Sequence, residues 1–571
     1  MRVRIRINAA RGSEAGLTDP RSREVAAPAE FPAKNRTGAS EGAGSGAARV
    51  ALGILVSRIT GLIRERAIAH YFGNSDVADA FRAAIRIPNL LNNLLGEGVL
   101  SAAFVTVYAK LRAQGRDEAA NHVANAVFGL LALISAVGVL AGVALTPFLI
   151  DLIAPGFAGD KRELTIRLVR ILFPSTGLLA LSAWCLGILN SHRRFLLSYL
   201  APVALNVTMI AALVTLGFSK QADLVIYLAW AAVAGSVLQL LVQVPRVIDL
   251  LGRFRPSLDT HLPQMRVVAR NFVPVFLSRG VVQISSYVDS MIASLLPTGA
   301  VAALGYAQTI SILPISLFSM SVSAAELPAL SSATGSQEQV AEVLRSRLTK
   351  GLRRIAFLVV PSAAAFLMLG DIIAGALYQT GRFHRADSVY VWGVLAGSSI
   401  GLLASSMGRL YSSAYYALLN TRTPLKYAAV RVALTTAAGI VAAFYLPYLF
   451  HLDRKWGVAG LTASAGLAGW VEFYLLRRGL TRYIGLVSIP AKLMVKLWSV
   501  ALIAAAVAYG IKRAVGTNHP LPLAVVALGA YGVIYWLGTL AAGVEEAREI
   551  GAQLVRGFLR KSPKTDSRTG S

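Results

Sequence analysis

Residues 79–97 read Asp79-Ala80-Phe81-Arg82-Ala83-Ala84-Ile85-Arg86-Ile87-Pro88-Asn89-Leu90-Leu91-Asn92-Asn93-Leu94-Leu95-Gly96-Glu97. Asp79, Arg82, Arg86, Asn89, Asn93 and Glu97 are spaced by 3, 4, 3, 4 and 4 residues, which places them on one face of a helix. A charge at the bilayer centre costs about 2.5–3.5 kcal/mol on insertion scales, so such a stripe in a membrane helix must line water or protein and not lipid. The competing arrangement keeps Asp79 and Arg82, or Arg82 and Arg86, in an interfacial layer while Glu97 snorkels from the other end. Pro88 and the Gly96/Gly98 pair break the helix midway, which favours the cavity.

The surrounding chain fixes the solvent. Of 571 residues, 55% are hydrophobic and 15% charged, with a mean hydropathy of +0.59, against roughly 25% charged in an ordinary soluble domain. Apolar runs centre near Ile54, Leu94, Leu133, Leu179, Val207, Val233, Ser285, Phe318, Ala364, Leu402, Ala437, Gly466, Ala504 and Val526. Each is long enough for the roughly 20 residues that cross a bilayer. The fold class expected is therefore an all-α polytopic membrane protein of about fourteen spans.

The 56 Lys and Arg against 29 Asp and Glu give +27, which in a soluble protein would suggest nucleic acid. Here the basic residues lie mainly between the apolar runs, where they orient helices and meet anionic lipid heads. The loops after even-numbered spans are the richer ones, with Lys110, Arg112 and Arg116, Arg193 and Arg194, and Arg246, Arg253 and Arg255 among them, so both termini are expected in the cytoplasm. Cys185 is the single cysteine, excluding an intramolecular disulfide and multi-cysteine metal sites, and the seven histidines form no HxxxH or HExxH pair. No nucleotide-binding motif is present either, so uptake driven directly by ATP hydrolysis is not expected.

Residues 1–46 carry no apolar run and read as a disordered basic cytoplasmic tail; their GxSxG match at Gly38–Gly42 lacks the strand-to-helix elbow that motif needs. A weak repeat follows. Asp151–Phe157 before span four matches Ala376–Phe383 before span ten, Leu189-Asn190-Ser191 matches Leu419-Asn420-Thr421, and Pro88 matches Pro314. The offsets are 381 − 156 = 225, 420 − 190 = 230 and 314 − 88 = 226. Two six-span lobes (47–260 and 261–485) in parallel pseudo-repeat are expected, followed by spans thirteen and fourteen (486–545) and a cytoplasmic C-terminal tail (546–571).

Other polar residues fall inside apolar runs. Span one supplies Arg58, with apolar residues on both sides, and Arg64; span seven carries Arg279, Gln283, Ser286 and Asp289 at helical spacing. Arg279 and Asp289 as a structural pair is the plain alternative, weakened because ten residues of helix separate them by about 15 Å. Cations lining a cavity imply an anionic substrate, and the planar fork of arginine suits phosphate oxygens. A secondary transporter or a flippase follows.

Several stretches carry a resemblance: Ser57-Arg58-Ile59-Thr60-Gly61-Leu62-Ile63-Arg64-Glu65, Tyr71-Phe72-Gly73, Asp79-Ala80-Phe81, Ile87-Pro88-Asn89-Leu90-Leu91, Gly96-Glu97-Gly98, Ala154-Pro155-Gly156-Phe157, Leu205-Asn206 and Leu238-Gln239-Leu240. With these motifs the chain resembles the MurJ/MviN family of lipid II flippases, within the multidrug/oligosaccharidyl-lipid/polysaccharide exporter superfamily, from about Ala51 to the end of span fourteen. The resemblance implies transport and not enzymatic catalysis: movement of undecaprenyl-diphosphate-linked peptidoglycan precursor from the inner to the outer leaflet, for cell-wall synthesis. It implies two six-helix lobes around a cationic cavity in the bacterial inner membrane, with the last two helices forming a groove for the lipid tail. Partners would be the lipid-linked glycan, membrane lipids and the cell-wall synthesis machinery.

By motif, the family's cavity arginines fall on Arg58 and Arg64, its helix-two acid on Asp79 and a later glutamate on Glu97. Two departures stand out. Asn92 and Asn93 replace a usual arginine pair, and Gln308-Thr309 replaces Asp-Arg after Tyr306-Ala307, so that Arg82, Arg86 and Arg279 are the candidates to restore the charge. The family's sodium-binding acid matches Asp289, with partners falling on Thr435 and Gly439, the latter without a side-chain ligand. No cofactor is expected, and coupling to the membrane potential or to a cation stays open. The alternatives are export of another polyprenyl-linked glycan, a drug antiporter of the same superfamily, or a non-transporting membrane scaffold.

Overall fold

The computed structural model describes residues 39–559 except 97–99, 332–335, 419, 488 and 516–518, and inside helices leaves out several side chains, including those of 39–52 and 273–286. Residues 49–571 form one compact body. Among the described residues every regular element is helical: α1 (Ala39–Phe72), α2 (Asp76–Leu95), α3 (Thr106–Ala113), α4 (Asp117–Ala144), α5 (Thr146–Ile153), α6 (Gly159–Ser191), α7 (Phe195–Leu216), α8 (Gln221–Leu251) and α9 (Pro263–Ser294). They continue with α10 (Ala300–Pro314), α11 (Met320–Ser331), α12 (Gln337–Tyr378), α13 (Arg385–Ala417), α14 (Arg422–Leu449), α15 (Gly457–Ile484), α16 (Ala491–Val515), α17 (Pro520–Ala541) and α18 (Glu545–Leu559).

All the predicted apolar centres lie in helical segments. Among the described residues, ten segments are long and apolar enough to cross a membrane. The long helices outside that set include α1, with Arg58, Arg64, Glu65 and Arg66, and α9, with Arg266, Arg270, Arg279 and Asp289, whose charges lower the apolar average. The expected tails carry helix where they join the body. Helix α1 starts at Ala39, inside the predicted N-terminal tail, and α18 occupies most of the expected C-terminal tail because Glu545-Glu546 open a helix whose Val544 and Ala547 are buried.

The repeat is visible in where helices begin. Helices α9, α10, α12, α13 and α14 start after α1, α2, α4, α6 and α7 by 263 − 39 = 224, 300 − 76 = 224, 337 − 117 = 220, 385 − 159 = 226 and 422 − 195 = 227 residues. Within the second set α13 packs on α12 and α15, and α14 on α15; within the first α6 packs on α2, α4 and α8. In hydrocarbon, where burial of apolar surface drives little, close backbone approach supplies the packing. Thus a Cβ on Gly401 of α13 would collide with the Cα of Gly466 in α15. Helices α16 and α17 pack on each other and against α12.

Candidate functional site

Ser75 caps α2, its hydroxyl accepting the Ala78 N–H at 3.3 Å, and Asp76 and Asp79 complement the positive end of the helix. Asp79 is buried at 1% exposure and its carboxylate is fully engaged: Lys161 Nζ donates to Oδ2 at 2.7 Å, Gly299 N–H to Oδ2 at 2.8 Å and Ala302 N–H to Oδ1 at 2.7 Å. The structure therefore gives Asp79, read as a substrate contact, the work of tying α2 and α6 to the start of α10. Lys161, read only as a loop charge, also pairs with Asp76 at 2.8 Å.

The repeat closes on itself at this same end. Gly156, before α6, packs on the last residues of α9, where a Cβ would strike the Ser294 carbonyl, and its N–H donates to Ser294 Oγ at 3.2 Å. Gly381, before α13, packs on the end of α1, where a Cβ would lie 2.5 Å from the His70 carbonyl oxygen; that carbonyl accepts the Arg382 N–H at 2.9 Å. Each lobe thus inserts its loop glycine against the partner lobe's first long helix, at pseudo-equivalent positions (294 − 70 = 224; 381 − 156 = 225). His70 Nδ1 and Thr380 Oγ1 at 2.9 Å, and Arg66 Nη1 donating to the Ala376 and Leu377 carbonyls at 2.5 and 3.1 Å, complete the latch. Outside the membrane-spanning helices, Asp151 hydrogen-bonds Arg162 at 2.7 Å, which holds its carboxyl below the usual range.

One turn along the stripe, Arg82 donates to Glu65 Oε2, as Arg64 does to Glu65 Oε1 at 2.7 Å, and the Arg82 guanidinium stacks 4.6 Å from the Tyr306 ring centre. Arg64 also donates to Asn206 Oδ1 at 2.9 Å. Arg64 and Arg82, expected to meet substrate, are committed to a shared carboxylate that no stripe reading included, although Glu65 lies one residue from Arg64 in the motif. Further on, Arg86 Nη2 donates to Gln308 Oε1 at 2.7 Å, and Tyr287 OH to the Arg86 carbonyl at 2.8 Å. Arg86 thus reaches the place on α10 where the family's Asp-Arg pair is replaced. Arg58 is exposed, donates to Ser316 Oγ at 3.0 Å, and pairs with no carboxylate among the described residues. Asn89 and Asn93 are exposed. Glu97 lies outside the described residues, and so does the side chain of Arg279, although its backbone belongs to α9.

The stripe is buried at the latched end and opens progressively from Asp79 through Arg82 and Arg86 to Asn89 and Asn93. Because a polar face is costly against lipid, this is a cleft widening away from the latch, with arginines and amides on its wall. Such a wall can hold oxyanions; among the described residues no nucleophile and base are arrayed in it for covalent chemistry.

Residues 68–525 match the family described as lipid II flippase MurJ. The chain belongs to the MurJ family. It is 32% identical to the lipid II flippase MurJ of Burkholderia cenocepacia over 75% of this chain and 82% of that one. With the probable lipid II flippase MurJ of Rhizobium tropici it shares 34% identity over 74% of this chain and 79% of that one. A solved lipid II flippase MurJ in an inward closed conformation superposes with a TM-score of 0.70 at 23% identity, covering 86% of this chain and 97% of that one. An inward-facing MATE family multidrug transporter of the MOP superfamily superposes with 0.62 at 17% identity, covering 77% and 98%. The family is one of membrane transporters, and this chain is a transporter and not an enzyme.

Asp289 Oδ1 and Thr435 Oγ1 are buried without hydrogen-bond partners, but the space at Gly439 is filled by Leu461, and Arg431, one turn from Thr435, is ion-paired with Glu472 at 3.1 Å.

Proposed function

We propose that this protein moves lipid II, the undecaprenyl-diphosphate-linked peptidoglycan precursor, from the inner to the outer leaflet by alternating access. The carrying observation is the graded stripe: latched and buried at one end, opening past Arg82 and Arg86 to the exposed amides of Asn89 and Asn93 at the other. The diphosphate enters the open end, where Arg58 and Arg86 offer planar donor forks and Asn89 and Asn93 offer amides to the headgroup. Rocking of the lobes then breaks the glycine latch and exposes the same wall on the other side. In this reading fourteen helices cross the inner membrane, with both termini cytoplasmic and the cell-wall synthesis machinery receiving the product. A membrane potential, inside negative, favours outward movement of an anion by about 2.3 kcal/mol per charge per 100 mV, so no bound cation is needed to drive it.

The experiment is replacement. The gene should sustain growth of a cell depleted of its own lipid II flippase, and the purified protein should flip labelled lipid II in proteoliposomes faster when the interior potential is negative on the headgroup side. Failure of both overturns the reading. Asn92, Asn93, Gln308 and Thr309 favour a second reading, a different polyprenyl-linked glycan, and it would appear as flipping of that lipid without rescue.

A further inference from the structure

Away from the cleft, a cavity of about 400 Å³ lies where α12 and α16 end and α13 and α17 begin. It borders the α12–α13 connection that carries Thr380 and Gly381, and so lies at the latched end of the molecule. Its charged lining is Asp371, Arg385, Lys512 and Arg513. Asp371 is spent on Lys512, with which it forms an ion pair. Arg513 finds only a neutral partner, its Nε and Nη2 donating to Tyr509 OH at 3.3 and 3.2 Å. Arg385 makes no hydrogen bond or ion pair with any described residue, since the acid nearest to it in sequence, Asp387, accepts the His384 N–H at 2.8 Å. Two guanidinium groups therefore face one cavity with no carboxylate to answer them. The first turns of α13 and α17 border the same space and add their positive ends.

The helices that end and begin at this cavity are apolar outside it: Ile503 and Val507 on α16 and Leu521 and Val525 on α17 are exposed, in a membrane transporter whose outer surface meets hydrocarbon. Cationic groups at the ends of two apolar helices match a molecule with an anionic head and hydrocarbon tails. We propose that this cavity binds the phosphate of an anionic membrane phospholipid, with its acyl chains along α16 and α17. The phosphate oxygens accept from Arg385 and Arg513, while Lys512 and Asp371 hold the back wall.

Purified full-length protein, stripped of lipid in detergent and titrated with phosphatidylglycerol, tests this by native mass spectrometry. The parent should retain one phosphatidylglycerol that phosphatidylcholine displaces poorly. Each guanidinium–phosphate contact is worth about tenfold in affinity, so Arg385→Gln/Arg513→Gln should weaken retention by about a hundredfold. The Arg385→Lys/Arg513→Lys variant, which keeps the charge, should retain most of it, and both variants should keep the parent's melting temperature in lipid-free detergent because the two side chains are exposed. Equal retention by the glutamine variant and the parent overturns the site. Displacement of the lipid by millimolar inorganic phosphate also overturns the proposal, since it would mark a site for a free anion and not for a lipid.

Discussion

Glu65 sits at 8% side-chain exposure between Arg82 at 11% and Arg64 at 22%, so three charges that separately would be costly in hydrocarbon share one network. Removing one member of a buried ion pair costs about 3–5 kcal/mol because the partner is left uncompensated. Glu65→Gln, which leaves both arginines without their carboxylate, should therefore lower the melting temperature in detergent markedly, and Arg82→Ala, which leaves Glu65 paired with Arg64, should lower it less. Arg58→Ala should behave oppositely, abolishing transport with protein level and melting temperature near those of the parent, because Arg58 is exposed and bonds only a hydroxyl. Thermal unfolding and flipping measured on the same preparations separate the two roles. A stable, inactive Arg82→Ala would return Arg82 to the substrate.

At the scale of elements, the turn from α6 to α7 carries a titratable contact outside the spans. Tyr108 OH meets His192 Nε2 at 2.9 Å, and burial, then Arg112, lowers the His192 pKa from its ordinary 6.5. The unfolded turn then binds the proton more readily than the folded one, so the contribution of His192 is complete above about pH 6.5 and is lost as pH falls through the lower folded value. Protection factors at residues 190–194, taken relative to the intrinsic exchange rate at each pH, should fall between pH 7.5 and pH 5, and His192→Gln should flatten that dependence; unchanged protection in the parent would mean the turn does not feel the ring. The helices themselves were legible because twenty-residue apolar runs have one use in a chain of this composition, and the repeat was legible from Gly156/Gly381 and Pro88/Pro314. What those glycines touch was not legible: contacts more than a hundred residues apart have no local signature, and a glycine reads as a turn before it reads as a close approach. For the same reason Lys161 read only as a loop charge, and the periodicity that puts Asp79 on the stripe says which face a residue shares but not what faces it. Helix α18 was missed because a half-polar helix beside a bilayer has the composition of a tail.

For the molecule as a whole, the latch and the loop charges give separate tests. With Cys185 replaced, cysteines at Arg193 and Arg253 should react with an impermeant thiol reagent only from the cytoplasm and one at Arg162 only from outside, since basic-loop bias sets orientation; labelling of Arg253→Cys in intact cells would invert or break the fourteen-span arrangement. The stronger test is mechanical. The two lobes meet at the latched end through reciprocal glycine contacts, the Asp79 cluster and the His70–Thr380 pair, and alternating access requires all of them to part in every cycle. A packed interface of this kind is bistable and does not yield by degrees, so a tether across it should stop the cycle outright. His70→Cys/Thr380→Cys in the Cys185→Ala background places two thiols where side chains now approach to 2.9 Å. Joined by oxidation or a short bis-maleimide, the protein should still bind lipid II from the open side, because the cleft lies at the other end, but should flip none. Reduction of the disulfide should restore flipping to the level of the untreated variant. Binding and flipping that both survive quantitative crosslinking would mean that the headgroup crosses by a route that leaves this end shut, and the rocking mechanism would fall while the site assignments at Arg58 and Arg86 stood.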